Sequence, residues 1–257
     1  MREMILSVKN LSVCLKNDNK NQILNNVSFD LYSGDVMAID GLNGSGKSTL
    51  LKMICCEKSD YDYKGEIFYY PFSNDNLLSL DKKQMLKYHS SIGYVPQKDN
   101  YEGLNKVTVE DLLVDACRAS GMKIQNGIDL FNKYFVTNNR IKLKSIPGKL
   151  SGGEQRMISI FLGLICKEKS KLMIIDEPLN NLDFENVMKV SDLINKIRID
   201  NQDSALLLIT HCKVITCINR QRKLMNGVME NNDSKYECHH CMGVPDCDLY
   251  YSQRNKK

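Results

Sequence analysis

Long hydrophobic runs are missing from this chain. The longest uncharged candidate, Met157 to Cys166, has ten residues, about half of the roughly 20 that cross a bilayer. It reads as a core helix. Strong charge of one sign is missing too. Thirty-five Lys and Arg against 31 Asp and Glu leave a net charge of +4, too mild to argue for direct binding of nucleic acid. The N-terminus has Arg2, Glu3 and Lys9 around a short apolar stretch, not the pattern of a secretory leader. No internal repeat divides the chain into equivalent units. These absences leave ordinary globular composition: 257 residues, 42% hydrophobic and 26% charged. That suits one large domain, or one domain with a subdomain, expected in the cytoplasm.

Cysteine is not scarce, at ten residues. Cys14, Cys117, Cys166, Cys212 and Cys217 lie singly in apolar surroundings and read as small buried thiols. Cys55 and Cys56 follow a helical stretch and read the same way. Cys238, His239, His240 and Cys241, with Cys247 further on, offer soft donors for Zn²⁺. A second C-x-x-C is absent, and the alternative is a basic surface tail with incidental cysteines over residues 231–257.

The most informative stretch is Gly41-Leu42-Asn43-Gly44-Ser45-Gly46-Lys47-Ser48, which fits G-x-x-x-x-G-K-[ST]. A triphosphate crowds anionic oxygens that only a ring of backbone N–H groups can cup, and glycines let that backbone come close. Lys47 is placed to reach the β and γ phosphates, and the Ser48 hydroxyl to ligate Mg²⁺. Val36 to Ile39 reads as a buried strand before the loop. Thr49 to Ile54 has helical spacing after it, so a positive helix end faces the phosphates.

The chain opens with antiparallel β-structure: Met4 to Val8, Leu11 to Leu15, a polar tip over Lys16 to Asn21, then Ile23 to Tyr32. Beyond the loop come a strand at Gly65 to Tyr70, a helix at Asp81 to Tyr88, and a strand at Ile92 to Val95 that exits through Pro96-Gln97. Residues from about 101 to 150 read as an inserted helical subdomain, with helices at Val109 to Ala119 and Ile128 to Phe135 broken at Gly121 and Gly127. Leu172 to Ile175 is a buried strand ending in Asp176 and Glu177. A helix follows from Phe184 to Ile197, then the strand Ala205 to Ile209, taken as the last of the sheet, ending in Thr210-His211. Strands that alternate with helices and deliver polar residues at their carboxyl ends describe an α/β sheet with its site there.

Asp176, at a strand end, is placed to sit beside a Ser48-bound Mg²⁺, and Glu177 to polarise the water that attacks the γ phosphate. Ser151-Gly152-Gly153 at the start of a helix is a second anion cup. Two cups make sense if the second closes on a nucleotide held by another subunit.

Taken in order, these motifs resemble the ABC (ATP-binding cassette) ATPases over roughly residues 3 to 230. The matching features are the Walker A loop (Gly41 to Ser48), the Q-loop Gln97, the signature LSGGEQR (Leu150 to Arg156) and the Walker B strand (Leu172 to Asp176). Glu177 at the catalytic position, the D-loop Asn180-Asn181-Leu182-Asp183 and the switch His211 complete the set. The resemblance implies a P-loop NTPase core with an N-terminal antiparallel β-subdomain and the inserted helical subdomain. It also implies ATP hydrolysis with Mg²⁺. ATP is then held by Gly41 to Thr49, Gln97 and, across a head-to-tail homodimer or heterodimer, Ser151, Gly152 and Gly153. Mg²⁺ is held by Ser48, Gln97 and Asp176, and catalysis falls to Lys47, Glu177 and His211.

Separate transmembrane permease subunits are implied as partners, with the chain peripheral on the cytoplasmic face of the membrane. The single cassette and short signature lean towards an exporter. The alternative is a soluble ATPase acting on a non-membrane partner such as a metal-cluster scaffold. Three departures stand out. Leu15 occupies the place of the usual adenine-stacking aromatic, so loose purine selectivity is expected. The signature is one residue tighter than the commoner LSGG-x-x-QR. Asn180-Asn181 replaces a Ser-Ala-like pair.

Overall fold

A computed structural model describes residues 2–16, 18–99, 101, 103–135, 140–164, 170–210 and 214–230. His211, Cys166, Cys212 and the Cys/His cluster from Cys238 to Cys247 lie outside the described residues, so the Zn²⁺ reading does too.

Two sheets share the chain. The first is antiparallel, in the order β2-β1-β4, built from β1 (Met4–Leu15), β2 (Asp18–Tyr32) and β4 (Tyr61–Tyr69). The two opening segments expected from sequence are one strand interrupted by a bulge. Asn10 takes φ +50°, and the pairing with β4 jumps between Lys9 and Ser12. An inserted residue of this kind breaks the alternation that marks a strand in sequence.

The second sheet runs β5-β6-β7-β3-β8-β9. It comprises β3 (Val36–Asp40), β5 (Gly93–Val95), β6 (Leu172–Asp176), β7 (Ala205–Ile209), β8 (Arg220–Met225) and β9 (Val228–Met229). All pairs are parallel except β8 with β9. Every residue of β3, β6 and β7 is buried, as strands covered on both faces must be.

Two differences from the sequence reading concern this sheet. β7 is not its last strand, because β8 pairs with β3 on the other side. β8 reads Arg-Gln-Arg-Lys-Leu-Met and lacks an apolar run. Its place is set by long-range contacts, among them the Arg220 guanidinium 2.5 Å from the fully buried Asp35 carboxylate, which also takes Arg2.

Helices cover the parallel sheet. One core packs α1 (Lys47–Ile54) and α2 (Lys82–Ser91) with the antiparallel sheet. The other packs α3 (Val109–Ser120), α4 (Ile124–Phe135), α5 (Gly152–Leu164) and α6 (Phe184–Asp200). Thr108 and Asp111 close a capping box at the start of α3, and Gly121 in the left-handed region ends it. Gly127, expected to break the next helix, lies within α4. A Cβ there would stand 2.4 Å from Cys117 Sγ, so the residue is a close-packing contact between α3 and α4. Cys55, Cys56 and Cys117 are buried thiols as expected, and Cys14 and Cys217 are half-buried. Among the described residues no helix is long and apolar enough to cross a membrane.

Candidate functional site

The carboxyl ends of β3, β5 and β6 deliver the site. After Asp40 the chain turns through the glycine-rich loop into α1. Gly46 takes φ +103°, and a Cβ there would press within 2.9 Å of Leu24 Cδ2 and Ile23 O on β2, so only glycine fits. No side chain caps α1, which leaves its first-turn amides, those of Lys47, Ser48 and Thr49, without intrahelical acceptors. The Ser45 hydroxyl is buried with no hydrogen-bond partner, a donor that a phosphate oxygen would satisfy. Gly44 has open space where a Cβ would sit. Asn43 and Leu42 are exposed at the loop's rim.

Lys47 is 6% exposed and donates to Gly41 O at 2.5 Å and Leu42 O at 3.1 Å. Burial lowers its pKa, opposed by the negative charges of Glu177, Asp40 and Asp176. One cation therefore faces three carboxylates. Asp176, paired with Ile209 at the end of β6, is pushed up to about 6 by burial and then by repulsion from Glu177. A buried carboxylate crowded by a half-buried one, beside open amides and a lysine, fits a divalent cation that carries phosphate. Ser48, on the first turn of α1, is the nearby hydroxyl ligand type.

Glu177 has φ +45°, uncommon for a residue with a Cβ. Its N–H donates to Ile209 O at 2.9 Å. Its Oε2 accepts two amides, Gln97 Nε2 at 2.6 Å and Asn180 Nδ2 at 2.8 Å. The structure thus brings Gln97, Glu177, Asp176 and Lys47 together.

At the signature, Ser151 N–H donates to Glu154 Oε2 at 2.9 Å and Glu154 N–H to Ser151 Oγ at 3.4 Å, a reciprocal cap on α5. Gln155 Nε2 closes on Leu150 O at 2.9 Å. Gly152 and Gly153 occupy the first turn, where amides lack intrahelical acceptors. A Cβ on Gly153 would strike Asn186 Cγ at 2.2 Å, and Asn186 is held by the Asp183 cap of α6. None of the described hydrogen bonds joins Ser151, Gly152 or Gly153 to the phosphate loop of the same chain.

Sequence reasoning named Arg156 in the signature and Asn180 in the D-loop but gave neither side chain a role. Arg156, 3% exposed, reaches Pro96 O at 2.6 Å, Asp176 O at 2.7 Å and Pro178 O at 3.2 Å, and pairs with Asp99 at 3.0 Å. A single guanidinium holds the residue before Gln97 and both residues flanking Glu177. Its place in the signature motif was the signal in sequence; what the guanidinium holds follows from packing. Leu15, 42% exposed, lies opposite Tyr61 in the β1–β4 pair.

Known proteins resemble this chain in sequence and in fold. The ABC transporter family model matches residues 24–180. An uncharacterised ABC transporter ATP-binding protein of Methanocaldococcus jannaschii is 32% identical over 82% of this chain and 78% of its own length. The lipoprotein-releasing system ATP-binding protein LolD of Psychrobacter arcticus is 29% identical over 82% of this chain and 90% of its own. Among solved structures, a dimeric post-hydrolysis ATP-binding cassette bound to ADP and Pi superposes with a TM-score of 0.70. It is 21% identical and the match covers 91% of this chain and 99% of that one. The chain therefore belongs to the ABC transporter family, as an ATP-binding cassette that binds ATP with Mg²⁺ and hydrolyses it.

Proposed function

We propose that residues 3–230 form the motor of a transporter whose membrane-spanning parts are separate subunits, working as a head-to-tail dimer at the cytoplasmic face of a membrane. The observation that carries this is the convergence of Gln97, Asp176, Glu177 and Lys47, with none of the described hydrogen bonds joining the Ser151 cup to the phosphate loop. A cup that serves no nucleotide in its own chain suits ATP held by a partner cassette.

Bound Mg²⁺–ATP supplies the transferable phosphoryl group and the charge that draws two cassettes together. The amides of Gly44 and of Gly46 to Thr49, with the Lys47 ammonium, hold the phosphates, while the Ser45 N–H is already given to Leu42 O at 3.1 Å. Ser48, Asp176 and the Gln97 carbonyl oxygen hold the metal. Gln97 Nε2 already faces a carboxylate, which only accepts, so its oxygen is the end left for a cation. Glu177 takes a proton from the attacking water. His211 is assigned to the γ phosphate from the family pattern.

Transport needs a point of contact with the membrane partner. We assign it to a cavity of about 300 Å³ lined by Cys55, Glu57, His89, Ile92, Tyr94 and Gly163. Tyr94 lies three residues before Gln97 on the same segment, so a wedge there is felt at the metal ligand. Export is retained as the direction on the single cassette and the short signature; similarity does not choose it, since a lipoprotein-releasing and a zinc import ATP-binding protein are 29% and 28% identical to this chain.

The test is Glu177→Gln, with ATP and Mg²⁺, in a sedimentation experiment. A dimer that forms with ATP and dissolves when nucleotide is removed is expected; a monomer throughout would sink the sandwich. Pull-down from detergent-solubilised membranes should recover a multi-span partner, and recovery of soluble partners alone would overturn the transporter reading.

A further inference from the structure

Glu177 is held differently at its two carboxylate oxygens. Oε2 accepts from Gln97 and from Asn180, at 2.6 and 2.8 Å, while none of the described hydrogen bonds reaches Oε1. A general base needs one oxygen fixed and the other open to water. Resting on the ATPase reading of the site, we infer that Asn180 is the positioning residue for Glu177, fixing its carboxylate without touching the nucleotide.

Three observations support this assignment. First, the Gln97 side chain is shared with the proposed metal site through its carbonyl oxygen, whereas the described hydrogen bonds give the Asn180 side chain no partner but Glu177. Second, the backbone between the two residues is already set. Arg156 binds Asp176 O and Pro178 O on either side of Glu177, Asn180 N–H lies 3.4 Å from Glu177 O, and Asn181 closes the turn at φ +58°. The side-chain amide of Asn180 therefore meets Glu177 with little freedom left to lose. Third, Asn180 is exposed, so its replacement leaves the core intact and reports on the contact.

The experiment is steady-state hydrolysis by the full chain, with nucleotide affinity measured separately by a fluorescent ATP analogue. Asn180→Ala should lower kcat about tenfold, the effect of losing one hydrogen bond to a charged group, with KM within about twofold of wild type. Asn180→Asp should fall further, because a second carboxylate would face Glu177. Asn180→Ser, which keeps a donor, should recover part of the loss. An Asn180→Ala enzyme with wild-type kcat would overturn the inference. So would a raised KM at unchanged kcat, which would make Asn180 a nucleotide contact. Wild-type turnover that Lys47→Ala abolishes keeps the ATPase reading standing in either case, so the two can fail separately.

Discussion

Arg156 and Asp99 form a buried ion pair at 3.0 Å, with side chains only 4% and 13% exposed. The pair lies between the signature helix and the segment that follows Gln97. The same guanidinium also reaches Pro96 O, Asp176 O and Pro178 O. A charge removed from water survives when every donor finds an acceptor, and here the acceptors are the two segments that carry the reacting groups. A shift of α5 is therefore transmitted to Gln97 and Glu177 together.

Arg156→Met should accordingly cost about 3–5 kcal/mol, the usual result of breaking one side of a buried pair. At about 2–4 °C per kcal/mol for a chain of this size, melting should fall by roughly 10 °C. Asp99→Asn, which keeps an acceptor for the guanidinium, should lose less stability. Thermal melts of both variants check the ranking; equal melting of Arg156→Met and wild type would remove the clamp.

Asp176 sets function against stability. Burial and the Glu177 charge raise it from 3.8 to about 6. A carboxylate raised in the folded state binds more protons there than when unfolded, so its contribution to stability falls as pH rises from about 4 through about 6. Asp176→Asn carries no charge at any pH. Without nucleotide it should melt above wild type at about pH 8, with the gap closing as pH drops to about 5. Its Mg²⁺-dependent turnover should be lost. Melting curves across that range decide the matter, and a gap that widens at low pH would contradict the assignment.

Gly127 and Cys117 make a size-for-size contact. Gly127→Ala gains about 1 kcal/mol of helix propensity but drives a methyl group to 2.4 Å from Cys117 Sγ, an overpacking cost of about 1–3 kcal/mol. Net destabilisation is expected. Adding Cys117→Ala should relieve it, and a double-mutant cycle with no coupling would refute the contact.

Leu15 bears on the base. With an aliphatic side chain, 42% exposed, at the position of the family aromatic, ATP and GTP should bind with similar affinity. Leu15→Tyr should tighten ATP about tenfold, within the range that base stacking supplies. Calorimetric titrations of both nucleotides in both proteins test this, and a wild type that already prefers ATP strongly would show that another group holds adenine.

The phosphate loop was legible from Gly41 to Ser48 because its chemistry is local. Closely spaced glycines, a lysine and a hydroxyl spell a backbone cup, whatever surrounds it. The same holds for Asp176 and Glu177 at the end of an apolar run, and for the Ser151 helix start. Strand β8 was not legible, since Arg220, Arg222 and Lys223 hide its pattern and its register comes from pairing with β3. Gly127 was misread because a glycine that ends a helix and one that admits a neighbouring thiol look alike in sequence.

By itself, then, the sequence determined which functional groups exist and which turn or strand end carries each, because those depend on neighbours a few residues away. Only the tertiary structure decided how they act on one another. Gln97 and Glu177 are 80 residues apart in the chain, and Arg156 and Pro96 are 60 apart. Their meeting depends on β5 and β6 lying side by side and on α5 packing across them, relationships that no local spacing encodes.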